Sequence, residues 1–122
     1  MVMVDKMYSF TDTAITAGLR VHGENLFVSN GHLSEAGLIE HMAQSVALHT
    51  GYSFYLRQAE APVGYIGTIK SIEISRLPAV NDEIKTTVTI LHEFGGVTLV
   101  DLSTTLGNVE IAAGQMKTIL AK

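Results

Sequence analysis

One segment of this chain has the pattern of a long helix, and that segment constrains the fold more than any other feature. Apolar side chains recur between residues 34 and 50 so that, at about 100° per residue, they form one contiguous arc. Ser34 suits a helix N-cap, and Gly51 suits a helix end. We therefore predict one helix from about Ser34 to Thr50 that lies deep against a sheet through Leu38, Ile39, Met42, Ala43, Val46 and Ala47.

The remainder of the chain has strand patterns. Residues 6–22 predict one long or bent strand, and residues 64–75 predict a strand with a bend or bulge between Ile69 and Ile72. Gly-Gly at 95–96 and Gly-Asn at 107–108 predict hairpin turns. The segment 82–94 alternates, which predicts one face carrying Ile84, Val88, Ile90 and Phe94. This order predicts an α+β protein with a long central helix and an antiparallel sheet of about five to six strands.

Composition excludes several classes of function. The 122 residues suit a single domain over 1–122, with 47% hydrophobic and 16% charged residues. A net charge of −4 and the lack of any basic run argue against nucleic-acid binding. The sequence has no cysteine, no apolar run of membrane-spanning length and no pattern of a signal peptide. We expect a cytoplasmic protein that does not associate with a membrane.

A carboxylate on the predicted helix is the main candidate for chemistry. Glu40 lies at the margin of the apolar arc, one turn before Gln44, so the pattern predicts that it faces a boundary and not open water. A carboxyl group in an apolar setting holds its proton more tightly and suits a general acid. The alternative is a surface glutamate at the edge of a buried helix.

The motif around this glutamate resembles a known family. "GLIEHMAQS" resembles the "IEAMAQ" helix of the 3-hydroxyacyl-acyl-carrier-protein dehydratases, which have the hot-dog fold. "VGYIGTIKSIEISRLPAVNDEIKTTVTI" resembles their next two strands and the turn between them, and "GNVEIAAGQMKTIL" is similar to their last strand. Residues 24–45 resemble still more closely the small dehydratase-like proteins of aryl-polyene and other specialised lipid gene clusters, some of which look like partner subunits.

The resemblance implies a hot-dog dehydratase-like protein of fatty-acid or specialised lipid biosynthesis. It implies that Glu40 is the acid and His32 the base, although "LSEAG" replaces the family's longer proline-rich stretch between histidine and helix. We predict substrate contacts at Gly37, Gln44, Tyr65 and Gly67, with backbone amides at the helix start as oxyanion donors. For His32, a loop histidine after the Asn-Gly turn is an equally good interpretation.

Other polar residues on the helix predict no separate chemistry. His41 and Ser45 lack the third group that activates a serine nucleophile. His41 and His49 lack metal-ligand spacing, so structural roles are predicted for both. Gly64 and Gly67 do not form a phosphate loop; close backbone packing, or room for a substrate arm beside Tyr65, is the better interpretation.

Two further functions stay open. In a hot-dog thioesterase, a helix carboxylate would activate water and no histidine would be needed. In a non-catalytic subunit, the chain would stabilise an active dehydratase. The implied partners are an acyl thioester on acyl carrier protein or coenzyme A, and a second copy in a homodimer or higher oligomer, or a second hot-dog subunit. We predict no metal and no other cofactor.

Overall fold

The structure is a computed structural model. It describes the backbone of residues 1–60 and 64–121, and the side chains of these residues except 64–66, 120 and 121. One helix, α1, spans Glu35–Leu56. The strands are β1 (Lys6–Thr11), β2 (Ala14–Arg20), β3 (Val28–Ser29), β4 (His32–Leu33), β5 (Gly64–Ile74), β6 (Glu83–Phe94), β7 (Val97–Leu106) and β8 (Val109–Ala121).

Six strands form one antiparallel sheet in the order β1-β2-β6-β7-β8-β5, and β3 and β4 form a separate small hairpin. The helix packs mainly on β2, β6 and β7. The predicted α+β architecture, with one long helix against five to six antiparallel strands, is therefore confirmed. The two predicted hairpin turns are also present, and Gly95 and Gly96 both have positive φ, 61° and 81°, as a two-residue turn between twisted strands requires.

The first predicted strand is two strands. Residues 6–22 do not form one long element, because Asp12 and Thr13 turn the chain and pair β1 with β2. The amide of Thr13 donates to the hydroxyl of Thr11 over 3.3 Å, a local bond that stabilises the turn. The threonine-rich pattern that suggested a continuous strand suits both arms of this hairpin equally well.

The helix also extends beyond its predicted end. Ser34 is the N-cap as predicted, since its hydroxyl accepts from the amide of Gly37 over 3.2 Å. Gly51 does not end the helix, which continues to Leu56. The last turns carry aromatic contacts that offset the low helix propensity of glycine: the Tyr52 ring packs edge-on against Phe10 and stacks with Tyr55.

The helix is rolled about its axis relative to the predicted arc. Leu38, Met42 and Val46 are buried as predicted, but Ile39, Ala43 and Ala47 are only partly buried. Three polar residues take the other half of the buried face: His41, Ser45 and His49. The buried face is therefore turned by roughly one residue step, about 100°, away from the arc that hydrophobicity alone indicates.

Hydrogen bonds explain how His41 is buried in this position. Its Nδ1 lies 2.7 Å from the carbonyl oxygen of Met3, which can only accept, so Nδ1 carries the proton. Its Nε2 then accepts from the Thr86 hydroxyl at 2.9 Å, and that oxygen accepts from Thr104 at 2.6 Å. The ring thus joins the N-terminal segment, the helix and two strands. The Ser45 hydroxyl donates to the carbonyl oxygen of His41, so both residues have the structural roles predicted for them.

Two of the register shifts in the sheet bear on what the sequence predicted for the strands. The predicted irregularity in β5 is confirmed, with a shift between Ile69 and Ser71. A second shift, in β6 between Ile90 and His92, reverses the alternation of the strand end. The prediction that Phe94 shares the core face is therefore wrong: it is 79% exposed, whereas Ile84 and Val88 are buried.

Two glycine-to-alanine substitutions test this packing. A Cβ at Gly114 would meet the carbonyl oxygen of Ser71 and the Cα of Ile72 at the β5 bulge, so we expect Gly114→Ala to lower the free energy of unfolding by about 1–3 kcal/mol. A Cβ at Gly51 meets nothing within 4 Å. Gly51→Ala should therefore raise stability by about 0.5–1 kcal/mol. Urea denaturation of both variants measures the difference, and equal effects would contradict the close approach at Gly114.

Candidate active site

The predicted base lies on the short hairpin that leads into the helix. Asn30 and Gly31 form its turn with φ of 55° and 78°, and His32 follows on β4. Alternation places Leu33 in the core and His32 in solvent. The His32 Nδ1 lies 3.1 Å from the carbonyl oxygen of Asn30. The sequence thus presents an exposed imidazole just before the helix start.

Backbone hydrogen bonds hold this hairpin in place. The amide of Leu33 donates to the carbonyl of Pro78 over 2.9 Å, and the amide of Val80 donates to the carbonyl of Gly31 over 2.9 Å. The turn that follows β5 is closed by the Asp82 carboxylate, which accepts from the amide of Ala79 over 2.9 Å. The predicted turn ending in Asp82 therefore supports the loop that carries His32.

The predicted acid lies on the outer face of α1. Glu40 is exposed, which corrects the expectation of a half-buried boundary position, and the roll of the helix is the reason. The Gln44 Nε2 donates to the Glu40 Oε1 over 3.1 Å, so the two residues meet one turn apart as predicted. No hydrogen bond or ion pair joins Glu40 to His32 in the described part of the chain.

Gln44 also holds the N-terminal segment, a contact that no sequence pattern indicated. Its Nε2 donates to the carbonyl of Met1 over 2.8 Å, and its Oε1 accepts from the amide of Met3 over 2.6 Å. Both N–H donors and the carbonyl oxygen of this side chain are therefore engaged within the chain. Gln44 orients Glu40, and its predicted contact with substrate stays a prediction.

An apolar groove of about 530 Å³ continues from Gln44 along the same helix face. Its floor includes Ala47 and Gly51, and an added Cβ at Gly51 would meet nothing within 4 Å. The rest of its lining comes from two valines of the N-terminal segment and three apolar or aromatic side chains of the helix: Val2, Val4, Leu48, Tyr52 and Tyr55. The volume falls in the range of small-molecule sites.

The first turn of the helix supplies backbone amides that could act as the predicted oxyanion donors, but the Gly37 amide is already in use. The amide of Gly37 donates to the Ser34 cap, which leaves the amides of Glu35 and Ala36 as the first-turn donors that no intrahelical carbonyl can take up. Gly37 has a packing role, because an added Cβ would lie 2.5 Å from the Phe27 Cβ and 2.6 Å from the Leu33 Cδ1. Its predicted substrate contact stays untested.

The remaining two predicted substrate contacts lie on β5. An added Cβ at Gly67 would lie 3.3 Å from the Met116 Sδ, so its side of the strand faces β8 closely. The Tyr65 side chain lies outside the described residues.

Within residues 1–60 and 64–121 no group of three or more His, Cys, Asp or Glu side chains is placed to hold a metal ion. In the same ranges, no helix has the length and apolar character that a membrane crossing needs.

The strand order and the single packed helix define a hot-dog fold, and solved structures confirm it. The dehydratase heterocomplex ApeI:P from Xenorhabdus doucetiae matches with a TM-score of 0.84 at 15% identity, over 99% of this chain and 84% of that one. A hypothetical thioesterase with coenzyme A from Streptococcus pneumoniae TIGR4 matches with a TM-score of 0.76 at 11% identity, over 95% and 84%. The uncharacterised PH1136 from Pyrococcus horikoshii matches with a TM-score of 0.77 at 11% identity, over 99% and 85%.

The family is shown by sequence as well. The family model of ApeP-like proteins, described as ApeP dehydratase, matches residues 1–120, so the chain belongs to the ApeP-like dehydratase family. No curated protein matches the chain. The dehydratase-like resemblance of the helix motif is thus confirmed at the level of the family.

Burial lowers the pKa of His41, because desolvation disfavours the imidazolium more than the hydrogen bond to Met3 favours it. His41 therefore takes up a proton more readily in the unfolded chain than in the folded chain. The stabilising contribution of the neutral, buried His41 is fully present above about pH 6.5 and decreases as the pH drops below that value. We expect His41 to give the unfolding free energy a positive slope against pH in that window, with an upper limit of about 1.4 kcal/mol per pH unit for one proton. Urea denaturation from neutral to mildly acid pH measures it.

His41→Gln should reduce this slope, and His22→Gln, at an exposed position, should leave it unchanged. An unchanged slope in His41→Gln would contradict the assignment.

Proposed function

We propose that this protein acts on 3-hydroxyacyl thioesters as a dehydratase-like hot-dog subunit, with Glu40 as general acid and His32 as general base. The observation that carries the proposal is the outer face of α1, where Gln44 both donates to the Glu40 carboxylate and lines an apolar groove. An acyl chain needs an apolar groove, and the thioester end needs an acid and a base beside it. The family match supports the same reaction class.

The reaction assigns one task to each group. The His32 imidazole removes the proton next to the thioester carbonyl, and the Glu40 carboxyl group protonates the departing hydroxyl, which leaves as water. An unsaturated acyl thioester is the product. Charge that builds on the carbonyl oxygen is stabilised by amides at the helix start, Glu35 and Ala36 being the free donors there.

A second subunit completes the site in this proposal. Glu40 is exposed in the single chain, and a carboxyl group acts as an acid near neutral pH only where its surroundings raise its pKa by excluding water. A second hot-dog subunit over this helix face would exclude water and would bring a second His32 towards Glu40. The acyl carrier is acyl carrier protein or coenzyme A, and the second subunit is another copy or a related hot-dog chain.

A second candidate function has its own support. His32 and Glu40 have separate partners within the chain, and the similar ApeI:P structure is a heterocomplex by its description. A non-catalytic subunit that stabilises an active dehydratase would have this arrangement. A thioesterase, in which Glu40 alone activates water, is the third candidate, and the similar hypothetical thioesterase holds coenzyme A.

Single substitutions separate these functions. We expect Glu40→Gln and His32→Ala each to lower the dehydration rate by at least about 100-fold, the usual contribution of a general acid or base. Mass spectrometry of 3-hydroxyacyl and enoyl thioesters after incubation measures the rate. Glu35→Gln is the matched control, because it removes an exposed carboxylate from the same helix but leaves the backbone amide of residue 35 in place, so it should retain activity.

Other outcomes assign the other functions. A wild type that hydrolyses thioesters, with His32→Ala unaffected and Glu40→Gln inactive, identifies the thioesterase. A wild type that is inactive alone but restores or stabilises a second hot-dog protein identifies the partner subunit. Full dehydratase activity in Glu40→Gln would exclude Glu40 as the acid.

A mixed-subunit experiment tests the shared site. His32→Ala and Glu40→Gln, each inactive alone, should regain partial activity when they are unfolded and refolded together, because a mixed dimer contains one site with both groups intact. Light scattering establishes that dimers form, and differently tagged copies establish that they mix. Mixed dimers without activity would contradict a site shared between subunits.

A further inference from the structure

His41 is a buried titratable side chain to which the function proposed above assigns no part. It follows Glu40 directly on α1, yet at about 100° per residue the two side chains leave the helix on different faces. His41 is 0% exposed, whereas Glu40 is exposed. Any influence of the imidazole on the carboxylate must therefore pass through other groups.

Three hydrogen bonds connect the two residues. The His41 Nδ1 donates to the carbonyl oxygen of Met3 over 2.7 Å, and the amide of the same Met3 donates to the Gln44 Oε1 over 2.6 Å. The Gln44 Nε2 then donates to the Glu40 Oε1 over 3.1 Å. Each of these bonds joins a group that can donate to a group that can accept. A hydrogen-bonded path thus leads from the core to the candidate acid through the backbone of one residue, Met3.

Gln44 is the member of this path that reaches Glu40, and its side chain has little freedom. It lies four residues after Glu40 and three after His41, the spacings of neighbouring side chains on a helix. The Met3 amide holds its oxygen, and its nitrogen also donates to the Met1 carbonyl over 2.8 Å. A long side chain that is held at both amide atoms keeps little rotamer freedom in the folded state. The direction in which Gln44 donates to Glu40 is therefore fixed.

The backbone of Met3 depends on His41 for its orientation but not for its attachment to the core. The Met3 side chain is 0% exposed, and the Asn25 Nδ2 lies 3.3 Å from its sulfur. The amide of Asp5 donates to the carbonyl of Gly18 over 2.9 Å. Neither contact involves the Met3 carbonyl. Loss of the bond from His41 should therefore free that carbonyl while the segment stays attached.

We propose that His41 is a positioning residue for Glu40, acting through the backbone of Met3 and the side chain of Gln44. The imidazole does not touch the substrate. Its Nδ1 holds the Met3 carbonyl, Met3 holds the Gln44 amide, and Gln44 directs the Glu40 carboxylate. The effect on the reaction rate rests on the function proposed for Glu40, whereas the effect on the position of Gln44 does not.

Two substitutions of His41 separate this role from a purely structural one. In His41→Asn the amide nitrogen is bonded to Cγ, as Nδ1 is, so it still donates to the Met3 carbonyl but does not reach Thr86. In His41→Gln the amide group lies one bond further out, where Nε2 was, so it reaches Thr86 but not the Met3 carbonyl. Each variant loses one buried hydrogen bond, and we expect similar losses of stability. Only His41→Gln interrupts the path to Glu40.

NMR of the Gln44 side-chain amide measures the path directly in the full-length protein. These signals, assigned by their loss in Gln44→Met, should differ from those of a free glutamine in the wild type, because the amide nitrogen donates to two acceptors. They should keep their wild-type positions in His41→Asn and move towards the free values in His41→Gln. Val88→Ala, which truncates a buried residue that takes no part in the path, is the stability control and should keep the wild-type signals. Equal signals in the two His41 variants would overturn the proposal.

Dehydration kinetics measure the consequence for the reaction. A displaced acid weakens the transition state and not substrate binding, so His41→Gln should lower kcat about tenfold, the effect of one hydrogen bond, with KM within about twofold of wild type. His41→Asn and Val88→Ala should keep kcat within about twofold of wild type. Gln44→Met should lower kcat as His41→Gln does, and the double variant should lower it no further, because both changes interrupt one path. Additive losses in the double variant would count against the path.

His41→Leu keeps the test decisive if His41→Gln does not fold. Leucine fills much of the same volume without a polar group of its own to leave unpaired, and it should give the Gln44 signals and the kcat expected for His41→Gln. Wild-type Gln44 signals in His41→Leu would reject the proposal. A wild type that dehydrates no thioester but shows the expected changes in the Gln44 signals would overturn the function proposed for Glu40 and support the path from His41.

Discussion

The roll of the helix about its axis determines what this protein can present to a substrate. The hydrogen-bonded chain from Met3 through His41 to Thr86 and Thr104 fixes that roll, because a buried imidazole must keep both partners. Leu38 and Met42 pack beside it at 0% exposure. With His41 turned inwards, Glu40, one residue earlier, is carried to the outer face. A helix rolled to bury only aliphatic residues would have placed the carboxylate at the edge of the core.

The hydrogen-bonded chain through His41 joins residues that are far apart in the sequence, and this explains which parts of the fold could be predicted from the sequence. Period-two alternation and glycine turns are local signals, so the extents of β6, β7 and β8 and the turns between them were predicted, whereas the register shift in β6 that exposes Phe94 was not. The helix roll was not, since hydrophobicity assigns His41, Ser45 and His49 to the polar side, and only distant partners such as Thr86 make their burial favourable. The helix end was missed for the same reason: Tyr52 packs on Phe10, a residue far away in the sequence.

The candidate site likewise has contacts that could be predicted from the sequence and contacts that could not. The contact between Glu40 and Gln44 follows from helical spacing and was predictable. The bonds from Gln44 to Met1 and Met3 were not, because the first residues have no pattern that indicates where they lie. The exposed position of His32 follows from the Asn-Gly turn and the buried Leu33 beside it. Whether two subunits bring His32 and Glu40 together depends on an interface that alternation and spacing do not specify.

One helix therefore carries two different polar environments on two faces. On the outer face, Glu40 and Gln44 use their hydrogen-bonding groups on each other and on the N-terminal segment, so a ligand there must compete with contacts that already exist. On the sheet-facing side, His41 uses both ring nitrogens, on the Met3 carbonyl and on the Thr86 hydroxyl, and these contacts hold the roll of the helix. Because a buried polar group that loses its partner is more costly than an exposed one, a ligand displaces the contacts of the outer face more easily than those of the buried imidazole. The proposed acid, Glu40, therefore lies on the face where the chain's own hydrogen bonds are the easier to replace.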